Sequence, residues 1–179
     1  ADLVGFQAAV VTDEVCRRLG EKTGLQRKQL LFNASHSHTG PLVSLDPHAA
    51  ANSVAHAPLS ADGVRETVAY TRALQDQLVT LVRDALARLE PAGLSWIAGH
   101  VDFPMNRRLP QSGRIVMSDN PAGATDRSVP VLRIDSPEGT LRGVLFGCAC
   151  HNTTLTGRDN VIAGDYAGFA QEHLEQQHP

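Results

Sequence analysis

Val11, Val15 and Leu19 recur every four residues between Ala8 and about Lys22, with Asp13 and Glu14 early, Arg17 and Arg18 late, and Gly20 and Gly24 near the end. That spacing predicts a helix whose charges complement its dipole. The next apolar run, Gln29 to Ser35, is short and β-like, so a strand is predicted to lead directly into His36-Ser37-His38-Thr39-Gly40-Pro41. Residues 42 to 60 hold two prolines and no steady period, which predicts a loop carrying His48 and His56. Ser60 can cap a long helix in which Val64, Val68, Thr71, Leu74, Leu78, Leu81, Val82, Ala85 and Leu89 trace one apolar stripe, ended by Pro91 and Gly93.

Beyond that helix the period changes. Leu94 to Phe103 alternates as a strand ending at Pro104-Met105-Asn106-Arg107-Arg108. After a loop, Val129 to Ile134 and Arg142 to Cys150 read as two strands joined by a Ser136-Pro137-Glu138-Gly139 turn, with His151 following the second. Gly164 to Gln177 reads as a final helix with Tyr166, Phe169, Ala170 and Leu174 inward.

The chain has 179 residues, 42% of them hydrophobic, enough to enclose a core of single-domain size. Net charge is −3 with Lys and Arg scattered, which gives no electrostatic reason to expect nucleic acid; a small neutral or apolar substrate fits better. No apolar run reaches the roughly 18 to 20 residues that cross a bilayer, and no leader pattern opens the chain, which starts at Ala1 as though something preceding it had been removed. The three cysteines are expected to be buried free thiols, because Cys148 and Cys150 are too close in sequence for an unstrained disulfide.

Two imidazoles on one face of an extended strand converge on one space, as His36 and His38 would, and neutral imidazole is a good zinc ligand. The other reading of His-x-His is a partly exposed pair making loop hydrogen bonds. His151 adds weight to the metal reading, since it too lies at a strand end and is followed by the polar run Asn152-Thr153-Thr154. A local Cys-Cys-His knot is awkward, because alternation turns Cys148 and Cys150 away from His151. Arg107 could hold a developing oxyanion or simply belong to a solvated basic pair with Arg108. Asp165 could cap a helix or orient a histidine. His48, His56, His100, His173 and His178 lack comparable surroundings.

The segment Asn33-Ala34-Ser35-His36-Ser37-His38-Thr39-Gly40-Pro41 resembles the T-H-T-H-S-G-P signature of the neutral/alkaline, non-lysosomal ceramidases. Later blocks follow in the same order. Met105-Asn106-Arg107-Arg108 is similar to the family's N-R-S, and Asp126 with Val129-Pro130-Val131-Leu132-Arg133 to its D-P-x-hydrophobic strand. Cys150-His151-Asn152-Thr153-Thr154 is similar to V-H-P-T-S, and Gly164-Asp165-Tyr166-Ala167-Gly168-Phe169-Ala170 to S-D-N-x-G-Y-A.

The resemblance implies an α/β fold, with residues 1–179 forming the N-terminal part of an αββα layered sandwich with a mixed sheet and flanking helices. It implies zinc-dependent hydrolysis of an N-acyl amide, ceramide in the reference members, or of another amide or ester on the same centre. A non-catalytic domain that keeps the fold is the further alternative. By position, His36 and His151 would ligate zinc, and His38 and Arg107 would bind the reacting carbonyl. Asn106, Asn152 and Asp165 would support the site or the substrate. The remaining ligands of the family, a Glu and a Tyr, would come from a segment C-terminal to Pro179; Glu172, Glu175 and Tyr166 are explained more simply by helix packing. A lipid substrate implies peripheral membrane contact, and the family implies a secreted or periplasmic location. Asn152 in place of Pro, together with Cys148 and Cys150, marks a divergent branch. Apolar strands without partners would tend to associate, so poor solubility is expected of this chain in isolation.

Overall fold

The computed structural model describes residues 1–46, 59–156 and 158–179. The predicted α/β class is the one observed. Contacts divide the chain into two compact units, one of residues 1–89 with 152–177 and one of residues 90–151.

The first unit is built on two helices. A π-turn, Ala8–Thr12, runs into α1, Asp13–Thr23, which is closed by Gly24 in the left-handed region (φ 77°), its N–H reaching Gly20 O at 3.0 Å. That conformation suits a residue without Cβ. The long helix α2, Ala61–Ala87, starts where the Ser60 hydroxyl accepts the Gly63 N–H, as the sequence predicts. Its buried positions Thr71, Leu74 and Val79 meet Leu3, Val11, Val15, Leu19 and Val43 in one core. Polar groups drawn into that contact are satisfied: Gln75 Nε2 donates to Val10 O at 2.6 Å, and Thr71 Oγ1 accepts from Ser44 N at 2.9 Å while donating to Thr67 O at 2.8 Å. Burying an apolar side chain of this size contributes about 1.5–3 kcal/mol.

The apolar stripe of α2 is narrower than its sequence suggests. Leu81, Ala85 and Leu89 are exposed, while the buried positions Thr71, Leu74 and Val79 lie N-terminal to them. The final helix α3, Asp165–Gln177, half-buries Tyr166, Ala170 and Leu174, but Phe169 points outward. No helix among the described residues is long and apolar enough to cross a membrane.

The second unit holds the sheets, which are antiparallel throughout the described residues. Strands β1 (Gly93–His100), β4 (Ser128–Asp135) and β5 (Leu141–Phe146) pair in the order β1-β4-β5, and β2 (Arg108–Gln111) pairs with β3 (Arg114–Met117). The Ser136–Gly139 turn forms as predicted, with Gly139 N–H donating to Ser136 O and Gly139 at φ 86°. Directly opposed residues share a face, so Trp96, Leu132 and Leu145 form one apolar row and Ile97, Val131 and Phe146 another on the opposite face. A sheet apolar on both faces has the pattern of one covered on both. Trp96 is 79% and Ile97 69% exposed.

Three local expectations are corrected. The strand expected over Gln29 to Ser35 does not form; Gln29 closes a 3-10 turn, Arg27–Gln29, and an irregular stretch follows. The segment read as a plain loop before β4 contains the β2–β3 hairpin, whose two-residue connection, Ser112-Gly113, takes positive φ at both positions. The last strand ends at Phe146, so Cys148 and Cys150 lie outside it; Cys16, Cys148 and Cys150 are in no disulfide among the described residues and are half-buried. Most of the loop predicted over residues 42 to 60, with His48 and His56, lies outside the described residues.

Candidate metal centre

His36 has φ 63°, so the strand alternation expected to align it with His38 does not operate. The two rings nevertheless meet, edge to face with centroids 5.1 Å apart. The residues between and after them do the aligning. Ser37 is fully buried, its Oγ donating to Ala163 O at 2.7 Å, and Thr39 Oγ1 donates to the same carbonyl at 2.9 Å. Both hydroxyls are pinned inward, which leaves His38 between them and His36 before them facing outward. Gly40 completes the anchor: a Cβ there would lie 2.5 Å from Asp2 O, so the backbones of the loop and the N-terminal segment touch as only glycine allows.

His36 Nδ1 lies 2.5 Å from Val4 O. A carbonyl can only accept, so Nδ1 carries the proton and the lone pair of the neutral ring is on Nε2, the tautomer found in metal-ligating histidines held by a backbone carbonyl. Neither Val4 nor Ala163 carries a sequence signal for this role, since the contacting atoms belong to the backbone.

Asn152, 2% exposed, clamps the same loop. Its Nδ2 donates to Ser35 O at 2.5 Å and its own carbonyl accepts the His38 N–H at 3.3 Å. The peptide bond to Asn152 therefore brings residue 151 alongside residues 35–38. The ring nitrogens that His36, His38 and His151 offer lie within 4.8 Å of one another. Zinc binds imidazole at about 2.0–2.1 Å in a tetrahedral shell, so nitrogens sharing one ion lie about 3.4 Å apart, and the rings must rotate inward from the observed spacing to share it. The donor set fits zinc, which takes imidazole readily and needs three protein groups for a catalytic site. Among the described residues, the buried Ser35 Oγ and Asn152 Oδ1 have no hydrogen-bond partner, and both belong to residues that hold this loop.

Half-buried Arg107 donates from its guanidinium to His151 Nδ1. Arginine has no acceptor to offer, so neutral His151 carries its proton on Nε2, and a metal ion at Nδ1 would compete with the guanidinium for one lone pair. Asn106 braces this arginine through its neighbours: Oδ1 accepts the Arg108 N–H at 2.9 Å and Nδ2 donates to Ala124 O at 2.9 Å. A Cβ on Gly123 would collide with Asn106 Cγ at 2.6 Å, so that contact also requires glycine.

Asp165 lies farther along the chain. Its carboxylate accepts the Leu155 N–H at 2.8 Å and the Tyr166 N–H at 2.6 Å. Burial pushes its carboxyl up, but these amides and Thr154 outweigh burial and hold it below the usual carboxylate range. Of the other histidines, His100 pairs with Asp102 on the surface at 3.0 Å, and His173 and His178 are exposed.

No protein-family model matches the sequence. A neutral ceramidase of Mycobacterium tuberculosis is 30% identical over 175 residues, covering 93% of this chain and 25% of that protein. The chain is similar to one stretch of the neutral ceramidases. The crystal structure of the neutral ceramidase from Pseudomonas aeruginosa superposes with a TM-score of 0.65 at 21% identity, covering 95% of this chain and 26% of that one. A ceramidase complexed with C2 gives the same figures, and at this identity both likenesses speak for the fold. The chain spans about a quarter of the length of the neutral ceramidases it matches. The cluster of His36, His38 and His151 is one that could hold a metal ion.

Proposed function

We propose that this chain supplies His36 and His151 as zinc ligands to a neutral ceramidase-like hydrolase that cleaves an N-acyl amide of a lipid, with His38 and Arg107 acting on the reacting carbonyl. The convergence of the three imidazoles carries the reading. When bound, zinc supplies Lewis-acid polarisation of an amide carbonyl and activation of water.

The protein's own groups do the rest. His36 is held in its Nε2 lone-pair tautomer by Val4 O. Arg107 holds a permanent positive charge beside His151, where a guanidinium can stabilise the negative charge that builds on a carbonyl oxygen during acyl transfer. His38, whose ring packs against that of His36, is in position to donate a hydrogen bond to the same oxygen or to move a proton. Asn106 and Asn152 fix the backbone on which Arg107 and His38 stand.

The test is zinc content after dialysis, measured by mass spectrometry on the wild-type protein and on His36→Ala and His151→Ala. The wild type retains zinc and each variant loses it; equal zinc in all three would overturn the reading. Turnover of a fluorogenic N-acyl sphingosine, set against ester and short-amide analogues, then decides the substrate class.

A further inference from the structure

Beyond the last bond to the sheet, where the Gly147 N–H donates to Pro130 O at 3.0 Å, the chain runs through Cys148-Ala149-Cys150 directly into His151. The site described above uses neither thiol. Residues two apart in an extended strand stand up to about 7.2 Å apart at Cα, beyond the roughly 4.4–6.8 Å that a disulfide spans. That limit does not hold here, because β5 ends at Phe146 and the backbone bends at Ala149. Ala149 is exposed at the bend while Cys148 and Cys150 are both half-buried, so the two thiols turn to the same side, away from solvent. No third ligand joins them: among the described residues, His36, His38 and His151 are the group of three or more His, Cys, Asp or Glu side chains whose ligand atoms come together. The chemistry left to the two thiols is with each other. Cys150 Sγ also donates to the carbonyl of His151 at 3.9 Å, which ties one of them to the backbone of that histidine.

We propose that Cys148 and Cys150 form a reversible disulfide and that closing it weakens metal binding at His151. The second clause rests on the hydrolase reading above. A small disulfide such as oxidised glutathione is the oxidant. One cysteine sulfur bonds to a glutathione sulfur as the oxidant's S–S bond breaks and one glutathione thiol leaves; the other cysteine sulfur then displaces the second glutathione. The two thiol hydrogens leave on the two glutathiones, so the cysteines are oxidised as the oxidant is reduced. The new bond holds residues 148–150 in a small ring, and Cys150 loses the proton it gave to His151 O, so the imidazole stands on an altered backbone.

Intact mass and peptide mapping after incubation in a glutathione redox buffer test the first clause. Cys16→Ser loses two hydrogens, yields a peptide cross-linked between Cys148 and Cys150, and recovers both hydrogens with a phosphine reductant. Adding Cys148→Ser or Cys150→Ser stops the reaction at a glutathione adduct. Glutathione adducts alone in Cys16→Ser, or cross-links between chains, would overturn the disulfide. Calorimetric zinc titration of the oxidised and reduced forms tests the second clause. The oxidised form binds about tenfold more weakly, the scale of loss when a group supporting a metal ligand is removed, and the variant lacking both Cys148 and Cys150 binds equally in the two buffers. Equal affinity in the oxidised and reduced forms of Cys16→Ser would overturn the coupling. Reduced protein that takes up no zinc would instead remove the hydrolase reading and the coupling with it, while the mass measurement still decides the disulfide.

Discussion

Two hydroxyls share one carbonyl in the loop that presents the histidines, and this makes a sharp prediction. Ser37 and Thr39 both donate to Ala163 O, at 2.7 and 2.9 Å. Ser37→Ala removes its bond and the longer contacts of Ser37 Oγ with Thr39 Oγ1 (3.1 Å) and the Thr39 N–H (3.4 Å) but leaves the carbonyl its other donor, so the loss is about 1 kcal/mol. Thr39→Val, close in shape, loses a similar amount. The double variant strips the part-buried carbonyl of both side-chain donors and adds a desolvation penalty of about 1–3 kcal/mol that neither single change incurs. The double-mutant cycle should therefore show coupling of about 1–2 kcal/mol beyond additivity. At roughly 2–4 °C per kcal/mol for a chain of this size, each single variant melts about 3 °C below the wild type and the double about 10 °C below. Urea unfolding supplies the free energies and zinc titration the functional readout, in which the double variant binds at least about tenfold more weakly, as expected when the groups orienting metal ligands are removed. Strict additivity would refute the shared-acceptor argument, and unchanged zinc affinity in a clearly destabilised double variant would refute its link to the imidazoles.

The other predictions concern Arg107, Asp165 and Gly40. Arg107→Ala should leave zinc uptake intact or raise it, since the guanidinium competes for His151 Nδ1, while turnover of an N-acyl substrate falls about 10²–10³-fold; zinc lost in proportion to activity would contradict this. Because the Asp165 carboxyl titrates below its unfolded value, its stabilising contribution is complete above about pH 4 and disappears as pH falls through the lower folded value. Asp165→Asn should accordingly be less stable near neutrality and lose less on acidification, compared by urea midpoints down to about pH 3. Gly40→Ala drives a Cβ against the Asp2 backbone and should destabilise by about 1–3 kcal/mol or more in thermal unfolding, whereas Gly5→Ala should not.

The sequence by itself determined the elements that depend on local periodicity and capping. The Val11, Val15, Leu19 stripe, the Ser60 cap and the Ser136–Gly139 turn are where the pattern puts them, because their hydrogen bonds close within a few residues. It also identified the histidines as a group, through the order of short motifs rather than through geometry.

Their convergence does not come from strand alternation: the chain turns through a positive φ at His36, held by Ser37, Thr39 and Asn152. Those anchors act on backbone atoms of Ala163, Val4 and Ser35, up to 126 positions away in the chain. A carbonyl has no letter in the sequence, so only the tertiary structure could decide which tautomer His36 adopts. The same holds for Leu81 and Leu89, which match the apolar stripe of α2 yet stay exposed, with none of the described elements covering them. Periodicity records which positions can be buried, and the crossing of other elements decides which of them are.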